Sequence, residues 1–527
     1  MNFLPFLVKD MKLPVSYTDE EAISFLKNTY FPKGNVSIYK KSVDARKKED
    51  ISFVYTFLVE VKDAKSIPPK LKKKTVPYQK KELTFSFGNK TLSHRPVVVG
   101  AGPGGLFCAY LLAKNGYAPI VLERGEPIEE RVKTVDGFFL GKPLNKESNV
   151  QFGEGGAGAF SDGKLTTRIN DPLSAEVVRV LSEHSELPHL CYQAKPHIGT
   201  DKLRTCVKSL REEIIRLGGT FQFRSRLTDM ELKNGAITSV TVNDTEKIPA
   251  SVVVLATGHS AKDVYALLNQ KEIPLSKKPF SVGARVEHHR TVIDKIQYGA
   301  FAGHPNLGAA DYQLFHHCQN GHTAYSFCMC PGGVVVPSQS EEESVLVNGM
   351  SYLARDGKNS NSALCVSVSP EDFGSDLFDG LRFIENLEQT AYRLAGANNQ
   401  APFTTSFDFS GIKPTGSYPE PTYSLGVTEV SFEKLFPAFV TESLKEGLFA
   451  FEKKMPGFLS EGCVFTGVET RTSAPLRINR NESLQSDNAV GLYPCGEGAG
   501  YAGGIVSAAV DGMKIAVKIM EQYKPLG

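Results

Sequence analysis

The chain has 527 residues, 41% hydrophobic and 22% charged, with a formal net charge of +2. That length suggests roughly two to four domains, the composition is that of a globular protein with a large core, and the near-neutral balance argues against a DNA-binding protein. Nine cysteines in no framework pattern point to reduced thiols and a cytoplasmic setting rather than a disulfide scaffold.

The first apolar run, Phe3 to Val8, is interrupted by Pro5 and followed by Lys9 and Asp10, too short for a secretory signal. No later stretch approaches the length of a membrane span. Residues 1–90 read as a small N-terminal α+β domain with a basic linker. Thr18-Asp-Glu-Glu21 is a capping box that opens a helix, and Pro32-Lys-Gly34 stops it. Val36 to Tyr39 is strand-like. Ile51 to Val61 alternates, which places Ile51, Phe53, Tyr55, Phe57, Val59 and Val61 on one buried face. Ile67 to Lys81 carries three prolines and six lysines and reads as a solvated linker. As a patch for RNA or anionic lipid it lacks an aromatic platform.

Residues 91–264 begin a Rossmann-like fold. Three valines run into Gly100-Ala-Gly102-Pro103-Gly104-Gly105, an apolar helix and a second strand follow, and Glu123 closes the unit. Gly100 permits the strand-to-helix turn, Gly102 lets a pyrophosphate approach the backbone, and Gly105 lets helix and sheet pack closely. Helix-start amides then face the phosphates. Glu123, 18 residues after Gly105, can accept hydrogen bonds from ribose hydroxyls and would repel a 2′-phosphate, which disfavours NADP. A glycine loop spans 150–170, an amphipathic helix Thr200 to Gly218, and a strand Thr220 to Leu227. An Asn-Gly hairpin follows at Lys233-Asn-Gly235. The buried run Ala250 to Ala256 ends at Thr257-Gly258.

Residues 265–484 change to short strands with glycine and proline turns, an inserted β-rich α+β substrate domain with helix near 376–396 and 431–452. Residues 485–527 return to the first fold with a last strand, the turn Gly496-Glu497-Gly498, then Gly503-Gly504-Ile505 at the start of a last helix.

This final segment resembles the closing motif of FAD-dependent oxidoreductases. The resemblance implies that Glu497 holds ribityl or phosphate-proximal hydroxyls and that the Gly504 and Ile505 amides face flavin N1 and the C2 carbonyl. A helix N-terminus suits the anion that reduced flavin carries at N1. Such families usually have Asp at the Glu497 position. Ala256-Thr257-Gly258 resembles the hydrophobic-strand motif of the same superfamily. Gly153 to Leu165, with Gly155, Gly156 and Lys164, resembles the glycine loop beside the flavin, and Leu227 falls on the edge that meets adenine. With Arg124 following Glu123, these segments complete an expected cofactor-binding set for FAD.

Segments beginning at Val97, Gln151, Phe327, Val347 and Glu469 are together similar to an uncharacterised bacterial family of FAD-dependent dehydrogenases. The resemblance implies a small-molecule substrate and an external electron donor or acceptor, and assigns no substrate. Two other readings are an FAD-dependent RNA-modifying enzyme and a non-catalytic flavin-binding redox sensor.

The chain has no second GxGxxG after a strand, so no built-in NAD(P)H domain, and no CxxxxC beside the glycine loop. Cys328-Met-Cys330 has neither the redox nor the zinc spacing and reads as two packed thiols. Adjacent histidines at His288-His289 and His316-His317 point to opposite strand faces, so no metal site is expected. Ala159-Phe-Ser161-Asp-Gly163 misses the hydrolase elbow. The substrate-binding candidates are Arg471, Thr472 and Ser473, just before the last FAD strand, with Arg471 as an anion binder or a structural ion pair. Lys164 and Arg168 come second, Arg285 and His288 after them; no general base stands out.

Overall fold

The computed structural model describes residues 3–80 and 82–526; Met1, Asn2, Lys81 and Gly527, the ends of the expected first and last segments and of the linker, lie outside them. Five short parallel strands form the sheet that positions the site: β1 (Val97–Val99), β2 (Ile120–Leu122), β3 (Thr220–Gln222), β4 (Val253–Leu255) and β5 (Leu492–Pro494), in the order β5-β4-β1-β2-β3. The apolar runs of β1, β4 and β5 are buried on both faces, as parallel strands under helices must be, while β3 at the edge is partly exposed. α1 (Pro103–Lys114) follows β1, α2 (Thr200–Arg216) precedes β3, and α3 (Ile505–Gln522) ends the chain. Leu106 and Cys108 of α1 share a core with Met513 and Ala516 of α3. Strand order reverses beside β1, which leads to β2 on one side and is flanked by β4 on the other. A ligand crevice belongs there, beyond the carboxyl ends of the strands.

A seven-stranded sheet stands beside this unit. Its centre is Asn359–Val368, Phe280–His289 and Val464–Glu469, antiparallel, with Thr323–Cys330 on the outer side of the first. Helices Asp379–Leu394 and Ala438–Lys454 lie where the sequence places helix, and α3 matches the expected last helix. The expected single strand Thr220 to Leu227 is instead two: β3 stops at Gln222, and Leu227–Lys233 opens a separate three-stranded meander whose Asn234 and Gly235 both take positive φ at the hairpin.

At the N-terminus the capping box forms as the sequence dictates. Thr18 Oγ1 accepts from the Glu21 amide at 3.2 Å, and the Glu21 carboxylate accepts from the Thr18 amide at 2.8 Å. The strand Ser52–Val61 buries every second residue, from Phe53 to Val61. Leu4–Pro14, which the sequence does not mark, is also a strand of this sheet. Its alternation is broken by a bulge between Val8 and Met11, where Asp10 takes φ +54°. The lysine-rich connector is more ordered than a solvated linker: Pro69–Lys74 is a 3₁₀ helix with Leu71 buried, and Thr75–Pro77 pairs with the first strand. Phe53 and Phe57 share one core with Val282 and Leu364 of the seven-stranded sheet.

Candidate functional site

The carboxyl ends of β1, β2, β4 and β5 open on one cavity of about 1100 Å³. That is at the upper end of ligand pockets, about 300–1000 Å³, and leaves room for an elongated ligand with a second molecule beside it. Its walls come from the parallel sheet on one side and the seven-stranded sheet on the other.

The turn after β1 divides its glycines by task. A Cβ at Gly105 would stand 1.9 Å from the Gly100 carbonyl oxygen, so this residue is absent from the cavity wall and serves close packing. A Cβ at Gly102 would meet only Gly156 Cα, at 3.8 Å, so space there is left to the cavity. Gly100, Pro103 and Gly104 line the wall beside it. No side chain caps α1, whose N-cap is Gly102, and its first-turn amides remain available to an anion.

Glu123 ends β2 with a buried carboxylate. One oxygen accepts from the Ala101 amide at 2.8 Å, the other from the Gly125 and Gly153 amides at 2.9 and 3.0 Å. It therefore ties the β1 turn to the glycine loop and presents its remaining lone-pair capacity to the cavity, which it lines. Arg124 also lines the cavity, over the Phe152 ring at 4.1 Å and paired with Glu147 and Asp263.

The glycine loop owes its shape to a residue the sequence reading passed over. Arg131 is fully buried and donates to the carbonyls of Asn149, Val150, Gly153, Glu154 and Gly156. Burial lowers its pKa to about 9. Glu154, pushed up to about 7 by burial, pairs with Arg211 at 2.9 Å. Gly155 packs against Val207 away from the cavity, whereas Gly156 and Lys164 line it. An arginine so distant in sequence carries no local signal; the acid among glycines at 154 is the nearest hint.

Ala256, Thr257 and Gly258 after β4, and Gly496, Glu497, Gly503, Gly504 and Ile505 around α3, reach the same cavity, as does Leu227. α3, like α1, has no side-chain cap: its N-cap is Gly504, so a second helix N-terminus opens here. Among the described residues the Glu497 carboxylate accepts no hydrogen bond, and burial pushes it up to about 7 against the pull of Lys278. His259, the first side chain after the Gly258 turn, stands 3.7 Å from Glu497. Its Nε2 is buried without a partner, and burial, then the charge of Arg471, holds its pKa down to about 4. Sequence reasoning missed His259, although its place one residue after the strand motif was a signal.

The far wall is charged and internally paired. Asp162 receives Arg355 and the Ser351 hydroxyl, with Lys164 Nζ at 3.0 Å. Those cations hold its carboxyl well below the usual range despite burial. Arg285, fully buried, pairs with Glu469, whose carboxyl burial raises to about 7. Cys328 is in this wall, and Cys330 is buried behind it.

The substrate candidates are already engaged. Arg471 reaches the cavity, but its guanidinium is spent on Glu388 at 2.8 and 2.9 Å and on the Ser260 and Ser340 hydroxyls. The Thr472 hydroxyl accepts from the Ser281 amide and donates to the Ser281 carbonyl. Ser473 does not line the cavity and receives Lys278 at 3.3 Å. Arg168 is at the rim. His288 is buried, outside the cavity wall, with Nε2 on the Phe458 carbonyl.

A parallel sheet with a glycine turn, a buried carboxylate at Glu123 and two uncapped helix N-termini on one cavity is the arrangement of a nucleotide-binding fold of the Rossmann type. The profile of the FAD-dependent protein, C-terminal domain-like family matches residues 279–472, and that of the NAD(P)-binding Rossmann-like domain matches residues 98–128. An uncharacterised protein of Clostridium beijerinckii is 46% identical over 494 residues, 93% of this chain and 92% of that one. The chain belongs to this FAD-dependent family, and its cofactor is FAD. Solved structures it is similar to include CtdE in complex with FAD (13% identity, 82% of this chain, 87% of that one, TM-score 0.30). Another is the glycerol-3-phosphate dehydrogenase from Bacillus halodurans complexed with FAD (10% identity, 84% and 67%, TM-score 0.34). Likenesses this distant add nothing to the assignment. Among the described residues no helix is long and apolar enough to cross a membrane.

Proposed function

We propose that the chain transfers hydride between flavin N5 and a small organic substrate held between the parallel sheet and the seven-stranded sheet, with an external electron partner. The observation that supports this most is the single cavity shared by Gly102, Glu123, Glu497 and the Gly503-Gly504 turn, residues from both ends of the chain.

In this reading the amides of Gly102 and Gly104 would hold the pyrophosphate, Glu123 a ribose hydroxyl, and the Leu227 main chain the adenine. Glu497 would accept hydroxyls of the ribityl arm, and the first turn of α3 would favour negative charge at the ring. Bound FAD supplies hydride exchange at N5. His259 enters neutral, with Nδ1 3.7 Å from Glu497 and Nε2 buried without a partner, and can hold or pass a proton. Lys164 and Arg355 present positive charge on the substrate side, although Asp162 offsets part of it. We assign Arg471 to holding the wall through Glu388 rather than to substrate binding.

The test is to purify the chain, record its visible spectrum, and screen organic substrates anaerobically for bleaching of the flavin band. Rapid bleaching by one chemical class supports the reading. A flavin that no donor reduces at a useful rate would leave only a flavin-binding protein.

A further inference from the structure

Cys328 and Cys330 stand where the strand Thr323–Cys330 leaves its register. Phe327 pairs with Ala363 and Cys330 with Asn361, so three steps on one strand cover two on its neighbour. The strand is locally shortened by this bulge. Residues two apart in a straight strand are roughly 6.6 Å apart, near the far limit of the Cα separation that a disulfide spans, and a shortened strand falls inside it. Cys328 takes φ +43°, a conformation disfavoured for any residue with a Cβ, and it is in the cavity wall. Strain of this kind clusters at working sites. Cys330 is fully buried behind it, its Sγ 3.5 Å from the Cys328 carbonyl oxygen.

Two cations flank the pair. Arg285 donates to the Cys328 carbonyl at 2.8 Å and lies 4.0 Å from Cys330 Sγ. Lys164 Nζ is buried, 3.0 Å from Asp162 but in no hydrogen bond. The Cys330 thiol, donating toward Cys328, together with Lys164 and Arg285, holds the Cys328 thiol well below its ordinary range, while Cys330 is driven well above it. The two thiols are thus driven apart in acidity beside two cations, an arrangement suited to thiol–disulfide exchange.

We infer that Cys328 and Cys330 are a redox-active pair that exchanges electrons with the bound FAD, and that the external electron donor is a small dithiol. The pair closes one S–S bond and gives up two electrons and two protons. FAD takes the electron pair with one proton, and the other proton goes to solvent. A dithiol attacks the disulfide at Cys328, the sulfur in the wall, and releases Cys330. It then closes its own disulfide and leaves both cysteines reduced. A dithiol completes this by itself, whereas a monothiol would stay attached in the cavity until a second one arrived. This rests on the flavin reading of the site.

The full-length protein is oxidised with diamide, and the peptide carrying both cysteines is mapped by mass. The expected peptide has lost two hydrogens and resists iodoacetamide, while the exposed Cys191 remains alkylated. Dithiothreitol should bleach the flavin of the wild type anaerobically, and roughly tenfold or more slowly in Cys328→Ser and Cys330→Ser, although dithionite reduces all three. Dithionite titration should consume two electron pairs per flavin in the oxidised wild type and one in either variant. A yellow wild type that titrates with one electron pair, or a diamide-treated peptide with both thiols free, overturns the cysteine pair alone. A colourless chain overturns the flavin reading, and the electron exchange with it.

Discussion

Gly102 and Gly156 pack side by side in the cavity wall, with 3.8 Å between Gly156 Cα and the point where a Gly102 Cβ would stand. The two come from different turns, one after β1 and one in the loop that Arg131 holds. Gly102 has φ −77°, which any residue adopts, so a side chain here meets ligand space and little else. Gly102→Val should therefore fold and lose FAD, whereas Gly105→Ala, with its Cβ 1.9 Å from a carbonyl oxygen, should lose about 3 kcal/mol or more of stability. Urea denaturation and flavin content of the two variants separate these effects.

Arg131 should be nearly irreplaceable. Its removal strands the carbonyls of Asn149, Val150 and Glu154, each costing about 1 kcal/mol or more when buried without a donor, and leaves those of Gly153 and Gly156 with one backbone amide apiece. Arg131→Met should cost more than about 3 kcal/mol and abolish flavin binding together with stability. The measurement is urea denaturation; an unchanged midpoint would show that the loop holds without it.

How much of this was legible in the sequence differs by kind of interaction. Local rules carried the capping box at Thr18, the alternation from Ile51 to Val61 and the glycine turn at Gly100, because each is set by neighbours in the chain. The strand Leu4–Pro14 escaped because Asp10 breaks its alternation with a bulge. The partners of Arg471 and Arg131 escaped for another reason. A long side chain can reach a carboxylate 83 residues away or carbonyls 18 to 25 residues away, and no spacing rule marks which. Cys328-Met-Cys330 read as packing because its spacing matches no familiar motif, while its place at a bulge in the cavity wall depends on strand register.

Arg471→Ala tests the choice between anion binder and wall. Its loss leaves the buried Glu388 with only the more distant Lys262 for a cation, which costs about 3–5 kcal/mol. Arg471→Met combined with Glu388→Leu removes both charges and should recover most of that. Urea denaturation of the single and double variants gives the coupling; a stable single variant with only a raised KM would restore the substrate role.

Glu497 gives a pH dependence with a definite sign. Burial raises its folded carboxyl to about 7 from 4.5, so between those values the folded apoprotein binds more protons than the unfolded chain. Its contribution is then fully present below pH 4.5 and lost as pH rises through 7. Glu497→Gln should leave the apoprotein unchanged near pH 4.5 and stabilise it at pH 8 by about 1–2 kcal/mol, discounted for partial exposure. Denaturation at the two pH values measures this, and equal effects at both would contradict it.

The most direct measurement is the flavin content of the purified chain and of Gly102→Val at matched stability. We expect one FAD per wild-type chain and none in the variant, because segments from remote parts of the polypeptide must meet around one ligand at that glycine. Equal flavin in both would contradict the account, since the ligand would then lie elsewhere.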